Sequence, residues 1–147
     1  MIKFELIADR YEIAQLPAEF TDAGLLRDYD RLALLFTEAG SWRMPHINQE
    51  FVGRREIRAA VERLQDMWDF FVQTPHLGKI EVRGDVGVGR SFVFELGRMR
   101  DGRSMQNYAV YHDRYQRTSD GWKFAERRYE VIYLDTSPLA GSTPHSD

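Results

Sequence analysis

The sequence predicts a single α+β domain in which helices come first and long antiparallel strands follow. Three observations carry this expectation. Apolar residues recur at helical spacing in the first half of the chain, most clearly at Ile57, Val61, Leu64, Trp68 and Phe71. From Lys79 onward the period falls to two, as in Ile80-Glu81-Val82-Arg83. Asp101-Gly102 and Asp120-Gly121 then stand between apolar runs, where such pairs make hairpin turns. With 147 residues the chain is one domain's worth, long enough to bury a core without disulfides or a structural metal.

In order along the chain, Ile13, Leu16, Phe20 and Leu25 or Leu26 mark a first helix, with Pro17 as its expected kink. Asp28 is placed to cap a short second helix through Leu32, Leu35 and Phe36. Gly40-Ser41-Trp42-Arg43-Met44-Pro45 is a short strand candidate. The third helix carries the 4, 3, 4, 3 spacing from Ile57 to Phe71, with Arg54, Arg55, Glu62, Arg63 and Asp66 on its polar side. Three long strands, about 89–99, 104–117 and 122–134, follow as a meander. A large bent sheet covered by three helices on one face leaves a cavity between the layers. The domain is expected to span residues 1–136, with residues 137–147 a polar, partly ordered tail.

Composition narrows the function. Twenty Lys and Arg against 23 Asp and Glu give a net charge of −3, which argues against a nucleic-acid partner. The absence of cysteine excludes thiol nucleophiles and cysteine zinc sites. No His-x-His or His-x-x-x-His pair stands beside a carboxylate, so no metal is expected. The glycine-rich Gly84–Gly89 run is not followed by a helical pattern, and nucleotide binding has no support. No leader and no apolar run of about 20 residues is visible, so the expectation is a cytoplasmic protein without a membrane partner. Aromatic residues make up 13%, which fits a well-filled core and also fits an apolar pocket for a ring-shaped ligand.

The Leu32-x-x-Leu35-Phe36 helix, the Gly40–Pro45 strand and His76 ahead of the next strand resemble the SnoaL-like branch of the NTF2-like superfamily. Asp120-Gly121-Trp122-Lys123-Phe124, the Arg127-Arg128 pair and Ser137-Pro138-Leu139-Ala140-Gly141 extend the likeness. Within the superfamily they are most similar to the hexachlorocyclohexane dehydrochlorinase and scytalone dehydratase-like branch, over about residues 8 to 140. The resemblance implies a cone, a strongly curved antiparallel sheet wrapped around three helices with an apolar pocket inside. It implies a cofactor-independent enzyme that uses a histidine to abstract a proton from a hydrophobic cyclic or polyketide-like small molecule. Dehydratase, isomerase and aldol cyclase chemistry are all implied types. Homodimers or homotrimers are implied as well.

Carried over residue by residue, the resemblance assigns the base to His76 and leaving-group assistance to Arg127. The orienting aspartate does not carry over, because its position falls on Leu25, and a further polar helper falls on Phe20. Leucine cannot accept the imidazole proton or stabilise an imidazolium. Asp22 lies three residues earlier on nearly the same helical face, about 4.5 Å back along the axis, and is the substitute expected to orient His76. By resemblance Trp42, Phe92, Phe94, Asn107, Tyr111 and Tyr129 join Phe20 and Leu25 as the pocket wall. The plainer readings are a solvated Asp22, a surface His76 and an Arg127 held in a strand-to-strand ion pair. The alternative function is a small-molecule-binding or assembly module of the same fold that has lost the His–Asp dyad.

Overall fold

The computed structural model describes residues 3–144. Helix α1 (Phe4–Leu25) runs on through Pro17, and buries Ile13, Leu16, Phe20 and Ala23. Leu25 and Leu26 both leave the core face. Arg27 adopts a positive φ of 56°, which turns the chain into α2 (Tyr29–Leu34). The Asp28 carboxylate accepts the Arg31 backbone N–H at 3.2 Å and caps that helix. Strand β1 (Phe36–Met44) is longer than the sequence reading allowed. It leads through a 3₁₀ turn (Pro45–Ile47) into β2 (Gln49–Val52).

Helix α3 (Arg54–Asp66) ends before Trp68 and Phe71, which the apolar spacing had assigned to it. The run Trp68-Asp69-Phe70-Phe71-Val72 is rich in aromatic and β-branched residues, and it opens strand β3 (Trp68–Arg83) instead. His76 is therefore mid-strand and not at a strand's start. Strands β4 (Val86–Met99), β5 (Ser104–Thr118) and β6 (Gly121–Asp135) complete the meander. Gly102 and Gly121, in the two expected hairpin turns, have φ of 93° and 98°, a region that glycine enters without strain.

The six strands form one sheet in the order β2-β1-β6-β5-β4-β3. Strand β1 lies parallel to β6, so the sheet is mixed and not purely antiparallel. The helices pack on one face, and Phe20 is the hub of the core. Its ring meets Phe36, Trp42, Tyr111 and Phe124 edge-on, at centroid distances of 5.7 to 6.3 Å. Arg117 ties the start of α1 to the sheet, with both carboxylate oxygens of Asp9 at 2.8 Å and its guanidinium over the Trp122 ring. After β6, the Leu139 N–H reaches Ser104 Oγ, and Arg98 donates to the Leu139 and Gly141 carbonyls. Residues 145–147 of the expected tail lie outside the described residues. No helix among the described residues is long and apolar enough to cross a membrane.

Candidate active site

A cavity of about 200 Å³ lies between the helices and the concave face of the sheet. Its wall is mostly apolar: Phe20 and Leu25 from α1, Trp42 and Met44 from β1, Val61 and Leu64 from α3, and Trp68 and Phe71 from β3. Polar groups gather on one side. Gln73 from β3, Glu95 from β4 and Tyr129 from β6 reach the cavity, with Thr21 behind them and Asn107 of β5 buried beside them.

These groups form one hydrogen-bonded network. The Tyr129 hydroxyl and Asn107 Nδ2 both donate to Glu95 Oε1, and Asn107 Nδ2 also donates to the Tyr129 oxygen. Gln73 Nε2 donates to Glu95 Oε2 at 2.9 Å, and the Thr21 hydroxyl donates to Gln73 Oε1 at 2.6 Å. Glu95 is 4% exposed. Burial pushes its carboxyl above the ordinary carboxylate range, and the donors from Tyr129 and Gln73 pull part of that shift back. Burial and the neighbouring Glu95 charge raise the Tyr129 hydroxyl, so it stays protonated as a donor.

Tyr111 stands next to Tyr129, with ring centroids 5.1 Å apart. Its oxygen accepts the Trp42 indole N–H at 3.3 Å, and its own hydrogen has no acceptor among the described residues. That proton is free to meet a ligand oxygen. Beneath the ring, the Arg127 guanidinium carbon sits 3.7 Å from the Tyr111 centroid and 4.5 Å from those of Phe20 and Phe124. Arg127 is 1% exposed, and its fork binds both oxygens of Asp113, at 2.8 and 3.2 Å. It does not line the cavity, so its reach to a ligand runs through Tyr111. His46, on the 3₁₀ turn at the cavity mouth, lays its ring 5.2 Å from that of Tyr129. Partial burial lowers its pKa.

Of the residues assigned from the sequence, Phe20, Leu25, Trp42, Tyr111 and Tyr129 line the cavity and Asn107 supports it. The others stand elsewhere. His76 pairs with Phe92 across β3 and β4, and both are exposed on the outer face. Its side chain has no hydrogen-bond or ion-pair partner among the described residues. Phe94 stacks on Tyr108 on that same outer side, with centroids 4.9 Å apart. The reason is the alternation of the strand: Gln73, Val93 and Glu95 point inward, so His76, Phe92 and Phe94 cannot. Asp22 is on the surface and pairs with Arg31, so no His76–Asp22 dyad exists. The residue that β3 sends into the cavity is Gln73, three positions before His76.

Sequence reasoning missed Glu95, Gln73, Thr21, Asp113 and the cavity-lining pair Trp68 and Phe71. A glutamate between two apolar strand residues was the available signal for Glu95, because it breaks the run Phe92-Val93-Phe94 at a position that must face one side or the other. Among the described residues, no group of three or more His, Cys, Asp or Glu gathers to hold a metal ion.

The SnoaL-like domain family matches residues 5–128. The chain belongs to that family. No curated protein sequence matches it. The solved structure of LinA is similar to this chain over 96% of each, with 26% identity and a TM-score of 0.83. The type 3 LinA hexachlorocyclohexane dehydrochlorinase of Novosphingobium barchaimii LL02 shares 25% identity over 96% of this chain and 97% of that one, with a TM-score of 0.82. A proposed scytalone dehydratase from Novosphingobium aromaticivorans DSM 12444 shares the fold, at 18% identity and a TM-score of 0.79 over 94% and 93%. The SnoaL-like chain thus has the NTF2-like cone, and its neighbours in that fold include lyases.

Proposed function

We propose that this chain is a cofactor-independent enzyme that moves a proton on a compact hydrophobic ring compound, with Glu95 as the proton acceptor and Tyr111 as the hydrogen-bond donor. The observation that carries this reading is the pairing of a buried, satisfied carboxylate with an unspent hydroxyl on one wall of an otherwise apolar cavity. An engineered apolar cavity of about 150 Å³ accepts benzene, so the volume here suits one substituted six-membered ring. Among the described residues Oε2 of Glu95 accepts only from Gln73 and keeps a lone pair for a substrate C–H proton. The electron pair left behind forms a C=C bond as a neighbouring C–O or C–Cl bond breaks, or moves onto a carbonyl oxygen held by Tyr111. In an isomerisation or cyclisation the proton returns from Glu95 to product; in an elimination it passes to solvent. The resemblance to dehydrochlorinases supports elimination as the first reaction to try. Arg127 is a positioning residue: it holds Tyr111 from below and polarises its ring.

The test offers the protein a panel of cyclic ketones in D₂O, read by NMR for deuterium beside the carbonyl, and hexachlorocyclohexane, read for chloride release. The expected result is turnover above buffer with at least one compound, falling about 10²-fold in Tyr111→Phe. A second reading, a binding module of the same fold, is favoured by Gln73 in the wall and by the apolar side chains of Phe20 and Leu25. Saturable binding in the cavity with exchange and chloride release at the buffer rate would select it.

A further inference from the structure

The outer face of the sheet carries a row of basic side chains that the cavity chemistry does not use. Register sets Arg90 of β4 directly opposite His112 of β5, His112 opposite Arg128 of β6, and Arg128 beside Arg43 of β1. Four neighbouring strands thus present a basic residue at one level, with strands about 4.8 Å apart. Like charges placed directly across strands are destabilising, and folded sheets ordinarily interleave acids among them. Here two of the acids are already engaged. Glu126 holds Arg43 and Arg114, each at 3.2 Å, and Glu81 holds Lys79 at 2.7 Å. Glu50 lies 3.8 Å from Arg43, and Glu130 lies 3.6 Å from His112 Nε2, beyond hydrogen-bond reach. Arg90 and Arg128 form no ion pair and no side-chain hydrogen bond among the described residues.

Both arginines, with His112 between them and Lys79 alongside, line one solvent-open groove of about 400 Å³, whose wall also includes Arg114 and the paired acids Glu81 and Glu126. Neighbours of these residues in sequence, Ser91, Tyr111 and Arg127, point the other way and are buried, so the groove and the cavity lie on opposite sides of the sheet. Two guanidinium forks whose N–H donors have no carboxylate partner among the described residues match a dianion, and their planar donors fit the oxygens of a phosphoryl group.

We propose that Arg90, His112 and Arg128 form a binding site for a phosphate dianion, free or carried by a larger molecule, on the face opposite the cavity. The site is tested with inorganic phosphate at low ionic strength, followed by ¹H–¹⁵N NMR and calorimetry, with chloride at matched ionic strength as the reference. Saturable shifts centred on His112, with affinity weakened about tenfold or more in both Arg90→Gln and Arg128→Gln, are expected. Lys123→Gln, outside the groove, should leave the affinity unchanged. The proposal is overturned if chloride reproduces the shifts, if phosphate moves nothing, or if both arginine variants bind phosphate as the wild type does. Dissociation of an oligomer by Arg128→Gln with no change in phosphate affinity would assign the row to a subunit contact instead. A phosphorylated organic compound that binds more tightly than phosphate alone, with the same arginine dependence, would support the carried form of the ligand.

Discussion

Glu95 is closed off from water among Tyr129, Asn107 and Gln73, and a carboxyl so placed titrates unlike one on the surface. Its folded-state pKa is raised, so its contribution to stability is full below the ordinary carboxylate range and is lost as pH rises through the folded value. Glu95→Gln removes that loss. The melting temperature of the variant relative to wild type should therefore climb as pH rises above the ordinary carboxylate range, measured by circular dichroism. A flat difference would mean that the carboxyl titrates normally. Arg127 and Asp113 make a second residue-level prediction. Arg127→Met alone leaves Asp113 buried and unpaired, at about 3–5 kcal/mol in urea unfolding, while the double variant with Asp113→Asn should lose clearly less. Neither Glu95 nor Asp113 was legible in the sequence as a buried acid. The partners of Glu95 come from other strands, 12 to 34 residues away, and the arginine that pairs with Asp113 lies on β6, so register brings them together.

Strand β4 explains why part of the site was assigned to the wrong face. An amphipathic strand ordinarily turns its larger apolar residues inward. In β4 the inward set is Ser91, Val93, Glu95 and Gly97, and the outward set is Phe92, Phe94 and Leu96. The pattern is inverted because the inside must leave room for a cavity and hold its polar wall. Period-two alternation was readable there; its direction was not. Helix signals with a local cause were read more faithfully. Asp28 caps α2 as its position suggested, and Asp28→Ala should cost about 1 kcal/mol in urea unfolding, with little change in the cavity. The end of α3 failed because Trp68 and Phe71, three apart, fit helical spacing, and strand alternation would part them; the irregularity in β3 between Trp68 and Phe70 is what brings both to the cavity.

At the scale of the whole molecule, the two faces of the sheet divide the work. The concave face holds the cavity, and the convex face exposes Phe92 at 45%, Tyr108 at 51% and Ile132 at 61%. So much apolar surface on a sheet predicts association, as a homodimer or homotrimer. Light scattering after size exclusion should give a mass above 17.2 kDa, and Phe92→Asp should return it to that of one chain. The order of helices and strands was legible because it follows from local patterns and hairpin turns, and the family was legible through the motifs that resemble it. The cavity's chemistry depends on which side of each strand faces in, and a single sequence leaves that open. The most direct measurement of the central claim compares Glu95→Gln with His76→Ala in the deuterium-exchange and chloride-release assays. The account predicts that Glu95→Gln loses about 10²-fold or more of the wild-type rate while His76→Ala keeps it. Full activity in Glu95→Gln, or its loss in His76→Ala with the fold intact, would contradict it.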